Sequence, residues 1–310
     1  MRLEGIHHIT AITAEAQTNV DFYAGLLGLR LVKKTVNQDD PTVYHLFYAD
    51  ERGSPGSDLT FFEYPQARRG RAGAGMVNRI VWRVASEQAI DFWSERLTRE
   101  RVDVERGDGR LRFADPEGLA LELAVVETDE EPLVAQHPEI PAELALHGFH
   151  GVHAYSATPG ASRRFLEEGL GFESSGEGWE VRGEDRSSVY TYDPPPAERG
   201  VGGAGTVHHV AWASRMEDHV AWRARALEAG ATPTPVIDRF YFRSIYFREP
   251  SGVLFEIATI GPGFTADEPL ESLGEALSLP PAFEPLRDQV ERVLTPIRDP
   301  RESWVRPSRA

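Results

Sequence analysis

The chain of 310 residues contains no cysteine. Disulfides, zinc–thiolate sites, iron–sulfur clusters and cysteine nucleophiles are therefore excluded. Cations are scarce as well: 33 Lys and Arg stand against 49 Asp and Glu, for a net charge of -16. Nonspecific binding to nucleic acid or to anionic membranes needs the opposite surplus, so neither is an expected partner. Nowhere do 18 consecutive apolar residues occur, and Met1-Arg2-Leu3-Glu4-Gly5 runs straight into a strand-like segment without a signal stretch. The expectation is a soluble, cytoplasmic protein. Gly and Pro are too few for a disordered chain, and 41% apolar residues suffice for real cores. The length suits two units of about 150 residues.

What is present is a repeat. Gly75-Met76-Val77-Asn78-Arg79-Ile80-Val81-Trp82 parallels Gly205-Thr206-Val207-His208-His209-Val210-Ala211-Trp212. Asp115-Pro116-Glu117-Gly118 to Ala124 parallels Glu249-Pro250-Ser251-Gly252 to Ala258, and Gly5-Ile6-His7-His8 resembles Gly148-Phe149-His150-Gly151. Each copy opens with an apolar strand. An amphipathic helix follows, with apolar positions such as Val20, Tyr23, Leu26 and Leu27 at three- and four-residue spacing, and then alternating strands. This predicts an α+β chain of four βαβββ modules, over about 1–65, 75–127, 146–195 and 204–262. The expected division is 1–136 (modules 1 and 2), 146–262 (modules 3 and 4) and a tail, 263–310, with helical patterns over 270–277 and 283–293. That tail could cover a sheet edge or a subunit contact, which leaves a homo-oligomer open.

Four of the ten histidines form two His-His pairs at equivalent places, His7-His8 and His208-His209. Neighbours on a regular strand point to opposite faces, so one member of each pair can face a common cup. Glu256 lies in the otherwise apolar Val253-Leu254-Phe255-Glu256-Ile257, where a carboxylate must be paired or neutralised. Two histidines and one carboxylate form the ligand set of non-haem Fe(II) oxygenases. The competing reading makes these histidines hydrogen-bonded core residues and pairs Glu256 with an arginine.

The blocks His7 to Ile12, Gly28 to Asp39, Tyr44 to Tyr48 and Asp238 to Glu256 resemble the vicinal oxygen chelate superfamily of glyoxalase I, bleomycin-resistance proteins and extradiol dioxygenases. Within it, the chain looks most like the hydroquinone ring-cleaving dioxygenases. The resemblance implies two vicinal-oxygen-chelate domains and an Fe(II) centre held by His8, His209 and Glu256, with Mn, Zn or Ni as alternative metals. It implies supporting roles for His7, Thr10, His208, Arg239 and Tyr246, and a small aromatic substrate opened with O2. A hydroquinone can place one oxygen on the metal, so its distal hydroxyl needs protein partners, for which Tyr246 and Arg239 are candidates. Tyr246 lies ten residues before Glu256, on the preceding strand. The alternative on the same fold is a glyoxalase-type isomerase or a resistance protein.

The repeat also says which cup is intact. Module 2 has Arg79 where module 4 has His209, and module 3 has Gly151 where module 1 has His8. Glu122 alone survives opposite Glu256 and should pair with Arg79. Ligands from modules 1 and 4 in one cup require those modules to face each other, leaving 2 with 3. Glu63 is a candidate fourth ligand, and Arg68, Arg69 and Arg71 read as a solvated connector.

Overall fold

The computed structural model describes residues 1–176 and 178–304. Its strands fall into four successive sets. Module 1 supplies β1 (Ile6–Thr13), β2 (Arg30–Asn37), β3 (Asp40–Ala49) and β4 (Asp58–Glu63). Module 2 supplies β5 (Val77–Val84), β6 (Glu105–Gly107), β7 (Arg110–Ala114) and β8 (Ala120–Val125). From module 3 come β9 (Phe149–Tyr155), β10 (Glu173–Ser175), β11 (Gly178–Arg182) and β12 (Ser187–Asp193). Module 4 ends the series with β13 (Thr206–Ser214), β14 (Ile237–Asp238), β15 (Arg243–Arg248) and β16 (Leu254–Thr259). In every module a helical segment follows the first strand. In module 2 it is a helix over Glu87–Arg99, whose start is capped by Ser86 accepting from the Ala89 amide and whose Ala89, Ile90, Trp93 and Leu97 are buried.

Two eight-stranded sheets result, with the orders β14-β15-β16-β13-β1-β4-β3-β2 and β10-β11-β12-β9-β5-β8-β7-β6. Modules 1 and 4 thus share one sheet and modules 2 and 3 the other, as the placement of His8, His209 and Glu256 predicts. The opening strands run antiparallel at the centre of each sheet, β1 with β13 and β5 with β9. The last strand of each module lies parallel beside its first, a connection that needs the intervening helix and hairpin. Alternation then sorts the side chains. On β13, Val210 and Trp212 enter the main core, where Trp82, Trp93 and Trp222 are also fully buried, while His209 and Ala211 face the other side. Removing one such ring costs roughly 3–5 kcal/mol.

The central strands are not regular. Ile6 pairs with Trp212 and His8 with Ala211, so His7 is an extra residue on β1. Thr10 pairs with His209 and Ala11 with Val207, so His208 is an extra residue on β13. The second sheet repeats both bulges, at Asn78 and at His150. The bulges therefore belong to the module and not to the histidines. Their consequence for the His-His pairs is direct, because an inserted residue breaks the strict alternation of faces.

The tail packs along β2, an edge strand of the first sheet. Lys33 is fully buried against Asp267 (2.7 Å) and Glu268, and the Ser278 amide donates to the Lys34 carbonyl. Covering an edge in this way removes a template for strand addition. The pattern over 283–293 becomes a 3-10 turn, Glu284–Leu286, running into an α-helix, Arg287–Val293. The pattern over 270–277 stops after the 3-10 turn Leu270–Ser272. Gly274 is the reason: its φ of 77° is left-handed, and a Cβ there would lie 1.8 Å from the Leu31 carbonyl oxygen.

Candidate metal centre

β1, β13 and β16 lie side by side, and on the face away from the main core they bring three side chains together. His209 Nε2 is 2.8 Å and His8 Nε2 is 3.2 Å from Glu256 Oε2, and the two ring nitrogens are 3.3 Å apart. All three residues are buried. Neither imidazole–carboxylate contact has hydrogen-bond geometry, so Oε2 is a buried oxygen with no hydrogen-bond partner. Its companion Oε1 accepts from the Ser244 hydroxyl. Burial pushes the Glu256 carboxyl up, but His8 and His209 outweigh it and hold it well below the usual range. Burial also lowers His209, keeping the imidazole neutral. Two imidazole nitrogens and an ionised carboxylate oxygen crowded around one point could hold a divalent ion.

The bulges decide what lies behind these nitrogens. His7 Nδ1 is 2.9 Å from His8 Nδ1, and His208 Nδ1 is 2.8 Å from His209 Nδ1. One proton serves each N–N contact. If Nδ1–H of His8 and of His209 donates, each Nε2 is left with its lone pair toward Glu256. Burial drives His7 down to about 3 and His208 down to about 4, which suits both as neutral acceptors. One member of each pair lines the cup, as alternation predicts, yet the other is not turned to the opposite face. It sits beside its neighbour as a brace.

His8 and His209 line a cup that is partly open to solvent. Phe47, Phe62, Tyr241 and Phe242 supply its aromatic walls. Thr10 lines it and shares a 2.8 Å hydrogen bond with Thr60. Tyr246 pairs directly with Glu256 across β15 and β16, and its ring meets His209 edge-on at 5.6 Å between centroids. Burial raises its phenol, which stays protonated at neutral pH. Arg239 lies 5.6 Å over the Tyr246 ring and forms a two-bond pair with Asp39 (3.1 and 2.9 Å). The turn between β2 and β3 and the segment after β14 are thereby tied across the cup's rim, with Gln38 donating to the Arg239 carbonyl.

Sequence reasoning missed several neighbours. Ser244, Thr60, Asp39 and His45 carry no local signal, although all but Thr60 lie in the blocks on which the resemblance rests. Asp58 is buried with both oxygens unpartnered among the described residues, and burial and Asp50 push its carboxyl well above the usual range. With His7 and His8 it forms a second close group that shares His8 with the first. Glu63, the candidate fourth ligand, is elsewhere. It accepts from the Ala16 amide (3.1 Å) at the start of the first helix, because alternation along β4 turns Phe62 to the cup, with Thr60 on the same face bonded to Thr10 and His45, and Glu63 away. Arg68, Arg69 and Arg71 are exposed, and their backbone bridges to 201–204.

In the second sheet the equivalent place is filled by charge. Glu122 is surrounded by Arg79 (3.1 Å), Arg112 (2.7 Å) and Arg110. His150, the bulge residue matching His7, is partly buried, and burial followed by Arg83 and Arg110 drives it down to about 4. An unfolded histidine protonates near 6.5, so its contribution is complete above that pH and is lost as pH falls toward 4. The expected cost in this window is roughly 1 kcal/mol per pH unit. Urea midpoints at pH 7 and pH 5 check it: His150→Gln should flatten the fall, and an unchanged slope would assign the acid sensitivity elsewhere.

Two mirrored βαβββ pairs with a His-His-Glu cluster in one sheet define a metal-site fold of duplicated modules. The sequence pattern of the Glyoxalase/Bleomycin resistance protein/Dioxygenase superfamily matches residues 5–123 and 148–257, and the chain belongs to that superfamily. It is 45% identical over 302 residues to MhqO of Bacillus subtilis (strain 168), provisionally named a ring-cleaving dioxygenase, covering 94% of this chain and 96% of that one. It is 33% identical over 312 residues to the chlorohydroquinone/hydroquinone 1,2-dioxygenase of Sphingobium indicum, covering 94% and 96%. A crystal structure of a Bacillus subtilis protein provisionally named a dioxygenase superposes with a TM-score of 0.90 at 41% identity, covering 96% and 98%. No helix among the described residues is long and apolar enough to cross a membrane.

Proposed function

We propose that the protein is an Fe(II)-dependent, extradiol-type ring-cleaving dioxygenase that opens a hydroquinone with O2, with His8, His209 and Glu256 as the iron ligands. The observation that carries this is the buried Glu256 Oε2, which faces two imidazole nitrogens at 2.8 and 3.2 Å without a hydrogen bond to either. The activity named for the Sphingobium indicum relative supports the substrate class. Iron bound there would supply open positions for a phenolate oxygen and for O2.

The protein's own groups prepare the site. His7 and His208 fix the tautomers of the ligand imidazoles, and Ser244 fixes the rotamer of Glu256. The aromatic walls hold one ring and exclude water. Tyr246, directly opposite Glu256, acts at the metal end of the cup, where its hydroxyl donates to a substrate oxygen. The direct test is anaerobic Fe(II) loading followed by oxygen-electrode assays on hydroquinones and catechols. Failure to consume O2 with any of them would remove the dioxygenase reading and favour an isomerase or resistance protein with Mn, Zn or Ni. In the active enzyme, Tyr246→Phe should retain iron and thermal stability while losing at least about tenfold in turnover, or ~1.4 kcal/mol of transition-state stabilisation. Wild-type turnover in that variant would make Tyr246 a packing residue.

A further inference from the structure

His45 is the one cup-lining imidazole, among the described residues, that neither faces Glu256 nor braces a residue that does. It stands on β3, two strands from β1 on one flank, whereas Tyr246 stands on β15, two strands from β13 on the other. The two therefore occupy opposite walls of the cup. The His45 ring is clamped between Phe47 and Phe62, with centroids at 3.9 and 4.4 Å. Its Nε2 lies 3.0 Å from Thr60 Oγ1, and Thr60 Oγ1 lies 2.8 Å from Thr10 Oγ1. No protein hydrogen bond is made by its Nδ1 among the described residues.

The structure assigns His45 as the residue that binds the ring hydroxyl lying away from the metal, by accepting that hydroxyl's proton in a hydrogen bond at Nδ1. The assignment rests on the hydroquinone reading above. A phenol is a strong donor and needs an acceptor on the wall of the cup away from Glu256. Arg239 has no acceptor atom, and each Asp39 oxygen already accepts from Arg239. If the Thr60 hydroxyl donates to Thr10, Thr60 Oγ1 accepts the Nε2–H of His45. That arrangement leaves the Nδ1 lone pair free for the substrate. Burial holds the imidazole well below its usual range, and a neutral imidazole can accept.

The test compares hydroquinone with 4-fluorophenol, whose fluorine is close in size to a hydroxyl but cannot donate. Anaerobic calorimetry on the Fe(II)-loaded enzyme should show at least tenfold tighter binding of hydroquinone. In His45→Phe the preference should fall to about one, with iron content unchanged. Thr60→Val, which unties the ring without replacing it, should reduce the preference several-fold, and it serves as the readout if the Phe variant does not fold. A preference that survives in the Phe variant, or in Thr60→Val where only that variant folds, would overturn the role of His45 while leaving ring cleavage intact. A wild-type enzyme that consumes O2 with hydroquinone but binds both phenols equally would likewise overturn it. Absence of both binding and O2 uptake would instead strike at the parent reading.

Discussion

Replacing Glu256 with Gln is expected to abolish tight iron binding, lowering affinity by more than about 100-fold, or ~2.7 kcal/mol. The change keeps the shape of the side chain and the Ser244 contact on Oε1, and removes the charge from the oxygen facing His8 and His209. Two imidazoles remain, and without the carboxylate no anion of the cluster offsets the cation's charge in a buried place. The metal-free variant should fold at least as well as the metal-free parent, since its buried anion is gone. Metal analysis after dialysis, together with a melting curve, separates the two effects. Parental iron content in Glu256→Gln would sink the ligand assignment.

Gly151→Ala should be the most destabilising single-methyl change in the second sheet, costing roughly 3 kcal/mol or more. Gly151 occupies the position equivalent to His8, and a Cβ built there would lie 2.1 Å from the Val189 carbonyl oxygen on β12. Backbone cannot retreat without breaking the parallel pairing of β9 with β12. The same contact explains why the second cup is not a dormant metal site. Even with Arg79 replaced by His, no side chain can be restored at 151, so a two-histidine cup cannot be rebuilt by point substitution. Denaturant unfolding of Gly151→Ala checks the prediction, and a loss below about 1 kcal/mol would show that β12 shifts freely.

The modular plan was legible because it is written in repetition: the Gly-x-Val…Trp and Pro-x-Gly blocks recur, and each recurrence fixes a strand. The exchange of modules between halves was legible only through His8, His209 and Glu256, since residues meant for one cup must lie on neighbouring strands. The bulges at His7 and His208 were not readable, because register is a property of two strands and a single sequence shows one at a time. His45, Thr60, Ser244 and Asp58 escaped for a related reason. Each is an ordinary polar residue on an alternating strand, and it acquires a partner only when another strand is laid beside it.

The Leu270–Leu277 pattern shows the limit from the other side. Its local composition favours a helix, and the approach of Gly274 to the Leu31 carbonyl overrules it. By itself, then, the sequence determined the four modules and the placement of His8, His209 and Glu256 in one cup against Gly151, Arg79 and Glu122 in the other, because periodicity and repetition are local properties of the chain. Only the tertiary structure decided which histidine braces which, that Glu63 turns to a helix start, that Arg239 is tied to Asp39, and that His45 faces Tyr246 across the cup. Those relations depend on register and on which strands become neighbours, and both are set by the packing of segments about 200 residues apart.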